Sequence, residues 1–237
     1  MNLRRADGRP LVIGHRGAAA VAPENTLESL AAAVDAGADV VEFDVGEGLL
    51  LGHSLEERPS SPVHLDEALA LLAGRGVGVH VDLKLLGIEN DVAAAVRRHG
   101  LQGRTLVSSN WLRSLRRLAT TAPELTRAIS YPRDRYHVSR LPWPQLLTTA
   151  GAAAARAAMP ARVVPLIAAA RADAVSLHHK LISPAVVRTA RSRGAFVIAW
   201  TVNETAQIER VAAVGVDAVV TDDPARARSV LDTLNLP

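Results

Sequence analysis

The feature that most constrains this chain is an alternation repeated about eight times. Short runs rich in Val, Ile and Leu are each followed by a longer Ala-, Leu- and Arg-rich segment with apolar residues at helical spacing. Strands are predicted at 11–15, 40–45, 77–84, 105–108, 125–130, 174–177, 196–201 and 218–221. Helices are predicted near 25–36, 66–74, 90–99, 111–119, 143–157, 184–193, 204–213 and 224–234. Strand-then-helix units in series build parallel sheets, because each helix carries the chain back to start the next strand in the same direction. Eight such units in 237 residues predict one α/β domain over residues 1–237, a (β/α)8 TIM barrel. An open doubly wound sheet is the alternative.

Local signals support this map. Asn25 followed by Glu28 resembles a capping box, Pro184 and Pro224 suit first helical turns, and Gly37, Gly194 and Gly215 follow helical segments. The 27 basic residues exceed the 24 acidic ones by three, and only Lys84 and Lys180 are lysines. The arginines are scattered through Ala-rich helices, aromatics are few, and nucleic acid is not an expected partner. With no cysteine there is neither a disulfide framework nor a thiolate zinc site. No secretory signal precedes the first strand and no uninterrupted apolar segment of bilayer length is expected, so the expectation is a soluble cytoplasmic protein. The oligomeric state is left open.

In a parallel barrel, chemistry collects where strands end, at the C-terminal face. His15 and Arg16 close the first predicted strand, Glu42 and Asp44 the second, and Asp82 and Lys84 the third. Ser108–Asn110, Trp200–Asn203 and Asp222 close the fourth, seventh and eighth. Side chains alternate along a strand, so Glu42 and Asp44 share one face, as do His80, Asp82 and Lys84. Val41, Phe43, Val45, Val79, Val81 and Leu83 then point to the helices. Inward carboxylates are costly unless paired or coordinating, and an oxygen-only set suits Mg2+ or Ca2+. His15 beside Arg16 reads as an acid–base group next to a phosphate clamp, and His53 as the second proton carrier. Trp200 offers an apolar wall for an alcohol group. His64, His99, His137 and His179 read as surface or loop residues, His80 as a satisfied core residue, and His178 stays open. Glu24-Asn25-Thr26 reads as starting the first helix and bracing the first loop.

Taken together, His15-Arg16-Gly17, Pro23-Glu24-Asn25-Thr26, Glu42-Phe43-Asp44-Val45, Val81-Asp82-Leu83-Lys84, Trp200-Thr201-Val202-Asn203, Gly215-Val216-Asp217 and Thr221-Asp222-Asp223-Pro224 resemble the glycerophosphodiester phosphodiesterase family. The resemblance implies a TIM barrel that hydrolyses a small glycerophosphodiester to an alcohol and glycerol 3-phosphate with one divalent cation. It implies Glu42, Asp44 and Asp82 as metal ligands and His15 and His53 as the acid–base pair. Arg16 and Lys84 are implied to hold phosphate oxygens. The chain departs from the family pattern in four places. Ser54 follows His53 where the family has Asp, and the path from Asp44 to His53 is short. The insertion after the second strand is reduced to about Leu55–His64, and Asp82 stands where glutamate is more frequent. The trimmed insertion motivates one alternative, a phospholipase D-like lyase acting on lysophospholipids. Ser54 motivates another, a non-catalytic barrel that binds a phosphorylated ligand.

Overall fold

A computed structural model describes residues 1–3, 7–54, 61–132 and 145–234, with helical side chains placed from 151 except at 152. Eight parallel strands close in sequence order into a barrel, β1 pairing with both β2 and β8. The strands are β1 (Leu11–Gly14), β2 (Val40–Val45), β3 (Gly78–Leu83), β4 (Thr105–Ser109), β5 (Thr126–Tyr131), β6 (Ala174–His178), β7 (Phe196–Trp200) and β8 (Ala218–Thr221). Each is followed by a helix: α1 (Leu27–Asp35), α2 (Leu65–Arg75), α3 (Glu89–Arg98), α4 (Leu112–Thr121), α5 (Gln145–Ala170), α6 (Pro184–Arg191), α7 (Thr205–Ala213) and α8 (Pro224–Thr233). The chain is a (β/α)8 TIM barrel, and the open sheet is excluded by the β1–β8 ladder.

Alternation along each strand sorts the side chains into two cores. Val41, Phe43, Val45, Val79, Val81 and Leu83 pack outward against the helices with Leu30, Ala33, Leu69 and Val96. Inside, Leu11, Ile13, Val40, Leu106, Ala128, Ala174, Ile198 and Ala218 fill the lower barrel. Leu3 is buried among them, so the N-terminal segment plugs the barrel floor. One layer up, the inward positions turn polar: Glu42, His80, Ser108, Ser130 and Ser176. That change marks where packing ends and the site begins.

Pro184 and Pro224 occupy first turns, and Gly37, Gly194 and Gly215 all have left-handed backbone. The first helix is capped otherwise than the spacing suggests. Thr26, not Asn25, is the N-cap, its hydroxyl accepting from Ser29 N, because Asn25 is drawn away to β2. His64 does cap α2, in a capping box with Glu67. Helix α5 runs far beyond the predicted end at 157, through Pro160 and Pro165. Within it Ala153–Ala170 is 18 residues of mean hydropathy 1.3, long and apolar enough to cross a membrane by length and composition. Arg156 and Arg162 interrupt it, so it is not an uninterrupted apolar segment of the kind the sequence excluded. In the barrel the stretch packs Met159, Val163, Ile167 and Ala170 into the outer core.

Candidate active site

The first loop is built to hold a backbone in an unusual shape. Arg16 (φ 50°) and Asn25 (φ 59°) are left-handed non-glycine residues, and Gly17 between them has φ 88°. A Cβ on Gly17 would come within 2.4 Å of the Ser29 carbonyl carbon, so α1 packs directly on this loop. Strain of this kind is kept only where surrounding contacts over-determine it. The Arg16 N–H donates to Glu42 Oε2 at 2.7 Å, and Ser29 Oγ donates to Arg16 O at 2.9 Å. Asn25, fully buried, accepts the Asp44 N–H on Oδ1 at 3.0 Å. Glu24 receives Arg16 Nη1 at 2.7 Å. The Pro-Glu-Asn-Thr segment therefore braces β2 as well as its own loop.

Strand register places the charges. Glu42 pairs with His80, Asp44 with Asp82, and Asp82 with Ser108, so Asp44, Asp82 and Ser108 form a row across three strands. One oxygen from each of Glu42, Asp44 and Asp82 lies within 4.8 Å of the others. Lys84 Nζ meets Asp44 Oδ1 at 2.8 Å and also contacts Asp82 Oδ2. Arg16 Nε is 3.0 Å from Asp44 Oδ2. Burial alone would push Asp44 upward, but Lys84 and Arg16 outweigh it and hold Asp44 well below the usual carboxylate range. Glu42 differs: burial, with Asp44 beside it, pushes it up to about 8.

This donor set fits a divalent cation. Ligand oxygens opposite one another on Ca2+ lie about 4.6–5.2 Å apart and on Mg2+ about 4.0–4.2 Å, so a spread of up to 4.8 Å spans a Ca2+ shell as it stands and closes by a few tenths of an ångström around Mg2+. A cation would also relieve the charge crowding that raises Glu42.

His15 extends the site on the other side. Its Nδ1–H donates to Asp222 Oδ1 at 2.6 Å, and Asp222 is held by Asn203 Nδ2 at 2.5 Å and by its own N–H to Asn203 Oδ1 at 2.9 Å. Burial lowers the imidazole's proton affinity, but the Asp222 hydrogen bond and the Glu42 charge more than reverse this, leaving His15 raised. With Nδ1 committed to Asp222, Nε2 is the nitrogen left for proton transfer.

His15, Arg16, the three carboxylates, His53, Lys84 and Trp200 all line one cavity of about 420 Å3, together with Trp111 and Pro132. All eight residues expected to form the site are thus brought together. The short path to His53 suffices because the chain doubles back: Leu51 N–H bonds Val63 O at 2.8 Å and Gly52 N–H bonds Asp44 O at 3.1 Å.

The other histidines divide. His99 bonds Asp66 near the surface, and His137 lies outside the described residues. His179 is buried, not a surface residue: its Nδ1 and carbonyl both receive Arg210 Nη2, at 3.1 and 3.0 Å. His178 stacks edge-on against Trp200. His80 is only half satisfied, since Nε2 meets Ser108 Oγ at 2.8 Å while buried Nδ1 has no hydrogen-bond partner. Burial pushes it down to about 4. The sequence reading gave no role to Asn25 at β2 or to Ser108 at Asp82; neither partnership has a local spacing that would reveal it.

The sequence profile of the Glycerophosphoryl diester phosphodiesterase family matches residues 15–46 and 76–226. The chain belongs to that family. Like a glycerophosphodiester phosphodiesterase it is a phosphoric diester hydrolase, and the matched blocks carry every site residue above except His53. A glycerophosphodiester phosphodiesterase of Caldanaerobacter subterraneus subsp. tengcongensis is 26% identical over 258 residues, 91% of this chain and 95% of that protein. An Oleispira antarctica phosphodiesterase, solved with the product sn-glycerol-3-phosphate, superposes with TM-score 0.69 at 22% identity, covering 96% of this chain and 98% of that one. A glycerophosphodiester phosphodiesterase from Parabacteroides distasonis superposes with TM-score 0.71 at 19% identity over 94% and 97% of the two chains.

Proposed function

We propose that this phosphodiesterase hydrolyses a small glycerophosphodiester to an alcohol and glycerol 3-phosphate, using one divalent cation and two histidines. The observation that carries this reading is that His15 and His53 line the same cavity as Glu42, Asp44 and Asp82. The product bound to the Oleispira antarctica protein supports the choice of glycerol 3-phosphate. Glu42, Asp44 and Asp82 hold the cation, which when bound draws charge from the phosphate and orients it. Arg16 and Lys84 hold phosphate oxygens, as their placement beside the carboxylates suits. One imidazole takes the proton of the substrate hydroxyl that attacks phosphorus and the other protonates the leaving alcohol oxygen. Water then opens the cyclic phosphate to glycerol 3-phosphate, the same pair in exchanged roles deprotonating the water and protonating the ring oxygen, and Asp222 keeps Nε2 of His15 free for this work. Trp200 and Trp111 wall the alcohol's side of the cavity.

A second reading has its own support. Leu85 and Leu86, immediately after Lys84, are 42% and 38% exposed, unusual for large apolar side chains here. An apolar lip next to the phosphate site favours lysophospholipids and a lyase outcome with a cyclic phosphate product. The deciding experiment supplies glycerophosphocholine with Mg2+ or Ca2+ and measures glycerol 3-phosphate enzymatically, with phosphorus NMR of the product. Turnover that stops with chelator and in a folded His15→Ala variant is expected; turnover that persists in either refutes the proposal, and a lasting cyclic phosphate selects the second reading.

A further inference from the structure

Ser108 has one hydroxyl proton and two neighbours that compete for it. Its Oγ lies 2.5 Å from Asp82 Oδ1 and 2.8 Å from His80 Nε2. A carboxylate can only accept, so the Ser108 proton goes to Asp82. His80 must then donate from Nε2 to the Ser108 oxygen, which leaves Nδ1 as the bare nitrogen. The result is a directed chain, His80 Nε2–H to Ser108 Oγ–H to Asp82 Oδ1, formed by buried side chains on β3 and β4.

That chain fixes which oxygen of Asp82 faces the cluster. Oδ1 is tied off by Ser108, while Oδ2 points toward Asp44, since the single Lys84 ammonium touches both Asp82 Oδ2 and Asp44 Oδ1. Glu42 is limited in a similar way, because Oε2 is engaged by the Arg16 N–H at 2.7 Å. Glu42 and Asp82 thus each have one oxygen held by a neutral donor, while Asp82 Oδ2 and both Asp44 oxygens face the Lys84 and Arg16 cations, with which a metal ion would share them. Mg2+ accepts single oxygens in a tight six-coordinate shell, whereas Ca2+ takes six to eight and often both oxygens of a carboxylate.

We propose that His80 and Ser108 are positioning residues that hold Asp82 to one-oxygen ligation and so select Mg2+ over Ca2+. This rests on the reading of Glu42, Asp44 and Asp82 as the cation ligands. Both line the deep part of the cavity, and the role assigned to them is exerted through Asp82. Groups that orient metal ligands are typically worth 10–100-fold in metal affinity.

The test is calorimetric titration of the full chain with MgCl2 and, separately, CaCl2, without substrate, for the wild type, Ser108→Ala, Ser108→Thr and His80→Phe. Circular dichroism establishes that each variant is folded. The wild type should bind Mg2+ more tightly than Ca2+. Ser108→Ala should weaken Mg2+ about 10–100-fold and Ca2+ by a smaller factor, because the freed carboxylate can then offer both oxygens. His80→Phe should shift the ratio the same way by less, and Ser108→Thr, which keeps the hydroxyl, should stay near wild type. Equal loss of both ions in Ser108→Ala and His80→Phe, or no loss, overturns the proposal. A wild type that binds neither ion overturns the cation-site reading itself, which separates the two failures.

Discussion

Asn25 offers the sharpest test of how the first loop supports the site. Its side chain is fully buried and accepts the Asp44 N–H at 3.0 Å, from a backbone at φ 59°. Asn25→Ala leaves that buried N–H without a partner, a loss of about 1–3 kcal/mol. Alanine at a left-handed φ costs about 1–2 kcal/mol that asparagine largely avoids. Together these give about 2–5 kcal/mol. Unfolding entropy of about 2.1 cal/mol/K per residue over 237 residues is about 0.5 kcal/mol/K, so Tm should fall by about 4–10 °C. Asn25→Gly separates the two contributions. It loses the same hydrogen bond without the backbone strain, but gains about 0.4–1 kcal/mol of unfolded-state entropy. It should therefore sit about 0–1.6 kcal/mol above Asn25→Ala. Urea and thermal denaturation of both variants read this order. An alanine variant within about 0.5 kcal/mol of wild type would refute the hydrogen-bond argument. A glycine variant less stable than the alanine one would refute the strain argument.

Other outcomes follow from neighbouring contacts. Asp222→Asn should lower the His15 titration midpoint, followed by the imidazole Hε1 resonance, because burial, which lowers it, is no longer outweighed by a carboxylate at Nδ1. The sign carries to stability: a raised native value means His15 stabilises the fold below its unfolded pKa of about 6.5, and that gain fades as pH rises through the native value. The variant should lose this acid-side gain, and an unchanged or higher midpoint contradicts the pairing. Leu3→Ala, which empties a fully buried position in the barrel floor, should cost about 2–5 kcal/mol in chemical denaturation; a loss near zero would mean the plug does not seal the barrel. Gly17→Ala combines a 2.4 Å backbone clash with φ 88° and should cost about 2–5 kcal/mol, measured the same way; a neutral outcome would show that α1 can move off the loop.

The fold was legible because alternation of side chains and of elements is a local property. Eight strands and eight helices emerge where short apolar runs and helical periodicity place them, and the outward set from Val41 to Leu83 follows from β2 and β3 alone. The acidic trio was legible for the same reason, since charges at alternate positions of an apolar run have nowhere inexpensive to go. What the sequence concealed depends on closure of the barrel. His15 and Asp222 are separated by 207 positions and meet only because β1 pairs with β8. Asn25 looked like a cap because Glu28 stands three residues on, yet its partner is 19 positions away on another strand. Ser108 reads as a mere strand end until register sets it beside Asp82. Helix α5 outran its predicted length because a proline forbids only particular hydrogen bonds, and packing of Met159, Val163 and Ile167 holds the helix across two of them.

The same register explains how so much charge survives inside a barrel. Glu42, Asp44 and Asp82 face Lys84, Arg16 and His15 across distances that only one alignment of β1, β2 and β3 provides. A slip of β2 by one residue would reverse its faces, turning Val41 and Phe43 inward and pressing both carboxylates against Leu30, Ala33 and Leu69. Burying two carboxylates among alkyl groups costs several kcal/mol each, which is comparable to the whole stability of a domain. The acidic residues that make the site are therefore also a strong determinant of strand alignment. Neutral replacements at Glu42 and Asp44 remove two of the candidate cation-binding carboxylates and at the same time weaken the penalty that keeps β2 from sliding.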